Sequence, residues 1–230
     1  PGSECLQRLP TTAMTIPVTM RAVRLGAMAL PGDLGVPGQA LGLVVFVHGS
    51  GSSRLSPRNR HVAQTLQQRR LATLLFDLLT PDEAEDRRLV FDIDLLAERV
   101  GGALDSIAGD AEIAGLPVGL FGASTGAAAA LRLAAARPHA VAAVVSRGGR
   151  PELALPVLDR VRAPTLLIVG GHDWQVLDLN RDALAALRCE KRLEVVPGAT
   201  HLFEEPGTLD AAARLAGDWF VTHLAPEPAA

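Results

Sequence analysis

Runs of apolar residues recur along this chain, each stopped by a short polar, glycine-rich loop, with stretches of helical periodicity between them. Residues 21–30 alternate apolar and polar like an antiparallel edge strand, and 31–38, rich in proline and glycine, reads as a turn-rich connection. Residues 41–47 are continuously apolar, as expected of a strand buried on both faces. A polar amphipathic helix follows over 58–69, then a second buried strand over 71–76, stopped by Asp77. The charged segment 81–88 reads as a solvated loop or short helix. Over 91–108, Leu95, Leu96, Val100, Leu104 and Ile107 fall at helical spacing.

The second half continues the alternation. Strand 117–121 leads into a helix that runs through Arg137 and stops at Pro138. Strand 141–145, a short helix over 153–161 broken near Pro156, strand 165–169, helix 177–187, strand 192–196 and helix 208–223 complete it. Strands alternating with helices predict βαβ units: an α/β protein with a mostly parallel sheet and helices on both faces. The division expected is an N-terminal extension (1–20), one α/β domain (21–224) and a Pro/Ala tail (225–230). Pro1-Gly2-Ser3 reads as an appended tripeptide, with Met14 as a candidate start.

Composition narrows the partners. The chain has 230 residues, is 48% hydrophobic, lacks tyrosine and has a net charge of −3, so nothing suggests nucleic acid or an anionic membrane. Cys5 and Cys189 make neither a disulfide framework nor a metal spacing, which fits a reducing compartment. No stretch reaches the ~18 apolar residues of a membrane span, and residues 1–20 lack the apolar core of a signal peptide. A cytoplasmic protein is expected. An exposed edge strand could pair two copies into a homodimer.

Chemistry is expected outside the carboxyl ends of the parallel strands. The residues there are His48-Gly49-Ser50-Gly51, Asp77, Ser124 within Gly122-Ala123-Ser124-Thr125-Gly126, Arg147 within Ser146-Arg147-Gly148-Gly149, Gly171-His172-Asp173-Trp174 and Gly198-Ala199-Thr200-His201. A G-x-S-x-G pentapeptide between a strand and a helix exposes its serine on a sharp turn. Serine needs a base, and imidazole serves best when a carboxylate fixes its tautomer. Asp173 and His201 follow Ser124 in that order, each after a late strand. Serine is also a preferred helix N-cap, the alternative role for Ser124.

These four loops, Val47-His48-Gly49-Ser50-Gly51, the pentapeptide, Gly170-Gly171-His172-Asp173 and Pro197-Gly198-Ala199-Thr200-His201-Leu202-Phe203, resemble the landmark loops of the α/β-hydrolase superfamily, most closely its dienelactone-hydrolase-like branch. The resemblance implies Ser124 as nucleophile, Asp173 as acid and His201 as base, with the N–H groups of Ser50 and Thr125 forming the oxyanion hole. It implies no metal and no organic cofactor. Dienelactone hydrolases carry cysteine at the elbow, and serine here favours ordinary ester chemistry.

The expected activity is therefore that of a carboxylesterase-type serine hydrolase on small or medium soluble esters. A lactone hydrolase or acyltransferase with the same triad is the nearest alternative, and a non-catalytic ligand-binding protein the alternative of another class. The short span from Val145 to Thr165 leaves no room for a large lid. Trp174 and Leu202 are expected to wall the pocket. Arg147 is expected to form a structural ion pair or to clamp a substrate carboxylate. His48 is expected to orient its loop, Asp77 to bridge loops, and Arg54, Arg58 and Arg60 to form a solvated face.

Overall fold

The computed structural model describes residues 15–226; Cys5, Met14 and most of the expected extension and tail lie outside the described residues. Among the described residues, eight strands form one sheet in the order β1-β2-β4-β3-β5-β6-β7-β8. They are β1 (Val18–Leu25), β2 (Leu30–Pro37), β3 (Gly42–Val47), β4 (Leu71–Phe76), β5 (Val118–Ala123), β6 (Ala143–Arg147), β7 (Thr165–Gly170) and β8 (Lys191–Val196). β2 runs antiparallel to both β1 and β4, and every pairing from β4 to β8 is parallel.

The central strands match the apolar runs because both of their faces are covered. β3 and β4 are buried at all six positions of each. The helices are α1 (Pro57–Gln67), α2 (Pro81–Glu85), α3 (Arg87–Val90), α4 (Ile93–Ile107), α5 (Thr125–Ala136), α6 (Trp174–Ala186) and α7 (Thr208–Leu224). One face of the sheet packs against α1 and α7 through Val62, Leu66, Trp219 and Phe220. The other packs against α4 and α5 through Leu96, Val100, Leu104 and the alanines 128–130. α5 lies close to the sheet because its first turns carry only small side chains, and Ala127, Ala128, Ala129 and Ala130 are all fully buried.

One element departs from the sequence reading. Residues 31–38 are not a connection but largely the strand β2, paired with β1 along its whole length and with β4 over four residues. Proline and glycine mask it. Yet Leu30 and Leu34 are buried, and Gly32 is needed because a Cβ there would press on Leu25 and Phe76. The actual turn is Gly26–Ala29, with Gly26 at φ +63°. The segment 81–88 becomes two short helices, α2 and α3. Between β6 and β7 lies only a 3-10 stretch, Pro151–Arg160, containing Pro156. No large lid is built there.

Candidate active site

Strand β5 ends at Ala123 and α5 begins at Thr125, so Ser124 alone makes the turn, at φ +51° and ψ −124°. This left-handed backbone is strained for a residue with a Cβ. The sharp turn is accommodated because a glycine stands two positions away on each side: a Cβ on Gly126 would overlap the Val47 carbonyl, and one on Gly122 would overlap the start of α5. The loop after β6 holds the turn from outside. Ser124 N–H donates to the Arg147 carbonyl at 3.3 Å, and Arg150 N–H donates to the Ser124 carbonyl at 3.0 Å.

His201 lies between β8 and α7. Its loop is closed by Thr200, whose hydroxyl and N–H both donate to the Glu205 carboxylate, at 2.6 and 3.1 Å. Asp173 lies between β7 and α6, and the two loops are joined by the His172 N–H donating to the Ala199 carbonyl at 2.9 Å. Across this junction His201 Nδ1 meets Asp173 Oδ2 at 2.7 Å. The contact leaves Nε2 for the cavity that His201 and Ser124 line together, about 220 Å³ in volume.

Ser124 and Asp173 both occupy helix N-cap positions, yet neither side chain makes a capping hydrogen bond. Capping is what serine and aspartate usually do there. The Asp173 carboxylate goes to His201 instead. The Ser124 hydroxyl stands at the positive end of α5, where an anion is favoured.

The two expected oxyanion donors differ in state. Among the described residues the Thr125 N–H has no acceptor, whereas the Ser50 N–H donates to Thr125 Oγ1 at 2.9 Å. The Thr125 side chain is 2% exposed and ties the loop after β3 to the elbow. Nothing in the pentapeptide pattern signals this, because the pattern specifies no side chain at that position.

His48 fixes the same loop. Its Nε2 accepts from the Leu78 N–H at 3.1 Å and its Nδ1 lies 3.0 Å from the Gly49 carbonyl, which requires the neutral Nδ1–H tautomer. Burial pushes its pKa below the usual histidine value, against the opposing pull of the Gly49 carbonyl and Asp77. Asp77 accepts from both the Arg54 N–H and its guanidinium, at 2.8 and 2.6 Å, and so bridges two loops.

Arg147 lines the cavity with Ser124 and His201 but lacks the structural ion pair expected of it. It is 6% exposed, its Nε has no hydrogen-bond partner, and among the described residues it forms no salt bridge. Its guanidinium lies 5.4 Å from the Phe203 ring centre. Burial, and secondarily the nearby Arg58 charge, push its pKa down to about 10. Arg58 also lines the cavity and pairs with Glu204 at 3.1 Å, while Arg54 and Arg60 reach Asp33, so the basic cluster is paired rather than simply solvated.

Leu202 lines the cavity. Trp174 does not: it is 71% exposed, because α6 begins at that residue and turns its side chain outward. Among the described residues no three His, Cys, Asp or Glu side chains are grouped to hold a metal ion, and no helix is long and apolar enough to cross a membrane.

No family model matches the chain. Among solved structures, the dienelactone hydrolase of Anabaena variabilis is 54% identical, with a TM-score of 0.86 and a match covering 91% of this chain and 99% of that one. Est1E of Butyrivibrio proteoclasticus shares the fold at 14% identity and a TM-score of 0.75, over 89% of this chain and 98% of its own. A Mycobacterium tuberculosis protein that provisionally carries the name phosphoribosyl transferase is 58% identical over 200 residues, 86% of this chain. The match spans only 45% of that protein's length, so more than half of it lies outside the region compared.

Proposed function

Since the chain belongs to the dienelactone-hydrolase-like branch of the α/β-hydrolase superfamily, we propose that it is a carboxylesterase-type serine hydrolase acting on small or medium soluble esters. The observation that carries this reading is the 2.7 Å contact between His201 Nδ1 and Asp173, with His201 and a strained Ser124 lining one cavity. In the proposed cycle, His201 Nε2 accepts the Ser124 proton as Oγ bonds to the ester carbonyl carbon. Asp173 stabilises the resulting imidazolium. The oxyanion is held by the Thr125 N–H and by the Ser50 N–H, which exchanges Thr125 Oγ1 for it; one such donor is typically worth about 3 kcal/mol in the transition state. The carbon–alkoxide bond then breaks, and the alkoxide takes the proton from Nε2. Water attacks the acyl-enzyme, gives its proton to Nε2, and releases the acid and a reprotonated Ser124. The cycle calls on no metal or organic cofactor.

Labelling with a fluorophosphonate tests the reading. Wild-type protein is expected to gain one adduct on Ser124 and to lose p-nitrophenyl ester hydrolysis in proportion, and Ser124→Ala to do neither. An unmodified Ser124, with ligand binding intact in Ser124→Ala, would leave a non-catalytic ligand-binding protein instead.

A second reading, hydrolysis of carboxylate-bearing lactones, is favoured by Arg147. A nearly buried guanidinium without a carboxylate partner is costly, and a bound substrate carboxylate would supply the missing charge. Loss of acidic-lactone turnover in Arg147→Ala, with neutral esters spared, supports it; equal loss on both opposes it.

A further inference from the structure

A larger cavity, about 480 Å³, lies on the far side of the loop after β3 and shares Gly49, Ser50 and Ser52 with the cavity of Ser124. Its apolar lining is made by Leu78 and Leu79 after β4, Ala84 on α2, Val90 on α3 and Leu96 on α4. The two charged side chains at its edge, Arg54 and Asp77, are bound to each other at 2.6 Å and so do not call for an ionic ligand. A comparable cavity beside β1 and α1, bordered by Met20 and Gln67, shares no residue with the cavity of Ser124.

We infer that this larger cavity is the acyl-binding site, and that the enzyme prefers esters whose acid part is a medium-length apolar chain. The inference rests on the serine-hydrolase reading of Ser124. Size is the first argument: small-molecule sites usually measure about 300–1,000 Å³, and the 220 Å³ around Ser124 falls below that range. Direction is the second. The proton that His201 takes from Ser124 goes to the departing alkoxide, so the alcohol part must leave on the side of His201, Leu202 and Arg147. The acyl part then extends away from His201, toward the loop whose Gly49, Ser50 and Ser52 line both cavities. Each methylene buried there is worth about fourfold in kcat/KM.

The test uses two substrate series: p-nitrophenyl esters from acetate to octanoate, and acetate esters of alcohols of increasing length. Both are run on wild type, Ala84→Trp and Val90→Trp, with Ser124 titrated by fluorophosphonate to count active sites. Wild type is expected to gain several-fold per methylene along the acyl series. The tryptophan variants are expected to cut the octanoate-to-acetate ratio at least tenfold while leaving the ratio along the alcohol series within twofold. Two substitutions on different helices, one of them at an exposed alanine, guard against a single misfolded variant. An unchanged acyl ratio in both variants with Ser124 fully titratable, or a change confined to the alcohol series, overturns the assignment. If Ser124 cannot be titrated, the serine-hydrolase reading fails first and the acyl site falls with it.

Discussion

The N–H of Ser50 donates to the hydroxyl oxygen of Thr125 at 2.9 Å, so a residue expected to hold the oxyanion is tied to the residue after the nucleophile. The bond pins the loop after β3 onto the elbow, and a substrate oxygen must replace it. Thr125→Val keeps the shape but removes the acceptor, leaving the Ser50 N–H to the solvent of the cavities it lines. Loss of such a hydrogen bond costs about 0.5–1.5 kcal/mol, so the variant should melt a few degrees below wild type. Its kcat on p-nitrophenyl acetate should be retained or raised, because the transition state no longer competes with Thr125. Thermal melting and steady-state kinetics check both halves. A hundredfold fall in kcat would mean that the hydroxyl is needed to hold the loop during turnover.

His48 gives the protein an acid-sensitive joint. Its neutral ring accepts from Leu78 and donates to Gly49, and burial holds its pKa below the usual 6.5. A base whose folded pKa is depressed contributes stability that is complete above its unfolded pKa and is lost as pH falls through the folded one. Urea midpoints should therefore decline below about pH 6.5. His48→Asn should lower stability at pH 8 and flatten that decline. An identical slope in the variant would place the acid sensitivity elsewhere.

Asp173 is expected to act by holding His201 in one tautomer. Asp173→Asn preserves size but lets an amide N–H face Nδ1, turning the imidazole the wrong way for accepting a proton at Nε2. Loss of such a carboxylate costs about four orders of magnitude in kcat, with KM little affected. Fluorophosphonate labelling of Ser124 should slow by a similar factor. A loss below tenfold would show that His201 is oriented by its loop, closed by Thr200 and Glu205, rather than by the carboxylate.

Much of this arrangement is readable from the chain because a parallel strand buried on both faces is an unbroken apolar run, and its polar terminator marks the rim where chemistry gathers. β3, β4, β5 and β7 follow that rule. β2 does not, since Pro31, Gly32 and Gly35 signal a turn while backbone pairing to β1 and β4 makes a strand of them. Neighbourhood along the chain also misleads at Trp174, which follows Asp173 but is swung outward where α6 starts. The Thr125 contact and the apolar cavity are tertiary facts: residues 50 and 125 meet only through the pairing of β3 with β5, and Leu78, Val90 and Leu96 come together only when the loop after β4 folds back. No local pattern encodes either.

Arg147 offers a test in which stability and activity move in opposite directions. Its pKa of about 10 leaves it charged throughout the neutral range, in a place where burial and Arg58 both oppose the charge. Its contact with Phe203 offsets part of that, and such cation–π contacts reach about 2 kcal/mol when desolvated. A buried charge without a partner costs more than that, and replacing buried charged groups by apolar ones of similar volume is often stabilising. Arg147→Met should therefore raise the melting temperature by a few degrees. If the cation is retained for a substrate anion, the same variant should lower the ratio of acidic-ester to neutral-ester kcat/KM at least tenfold. Differential scanning calorimetry and a paired assay on 3-acetoxypropanoate, whose carboxylate lies in the alcohol part, and on propyl acetate measure the two effects. A lower melting temperature with an unchanged ratio would assign Arg147 to the fold alone, and would leave the lactone reading without its main support.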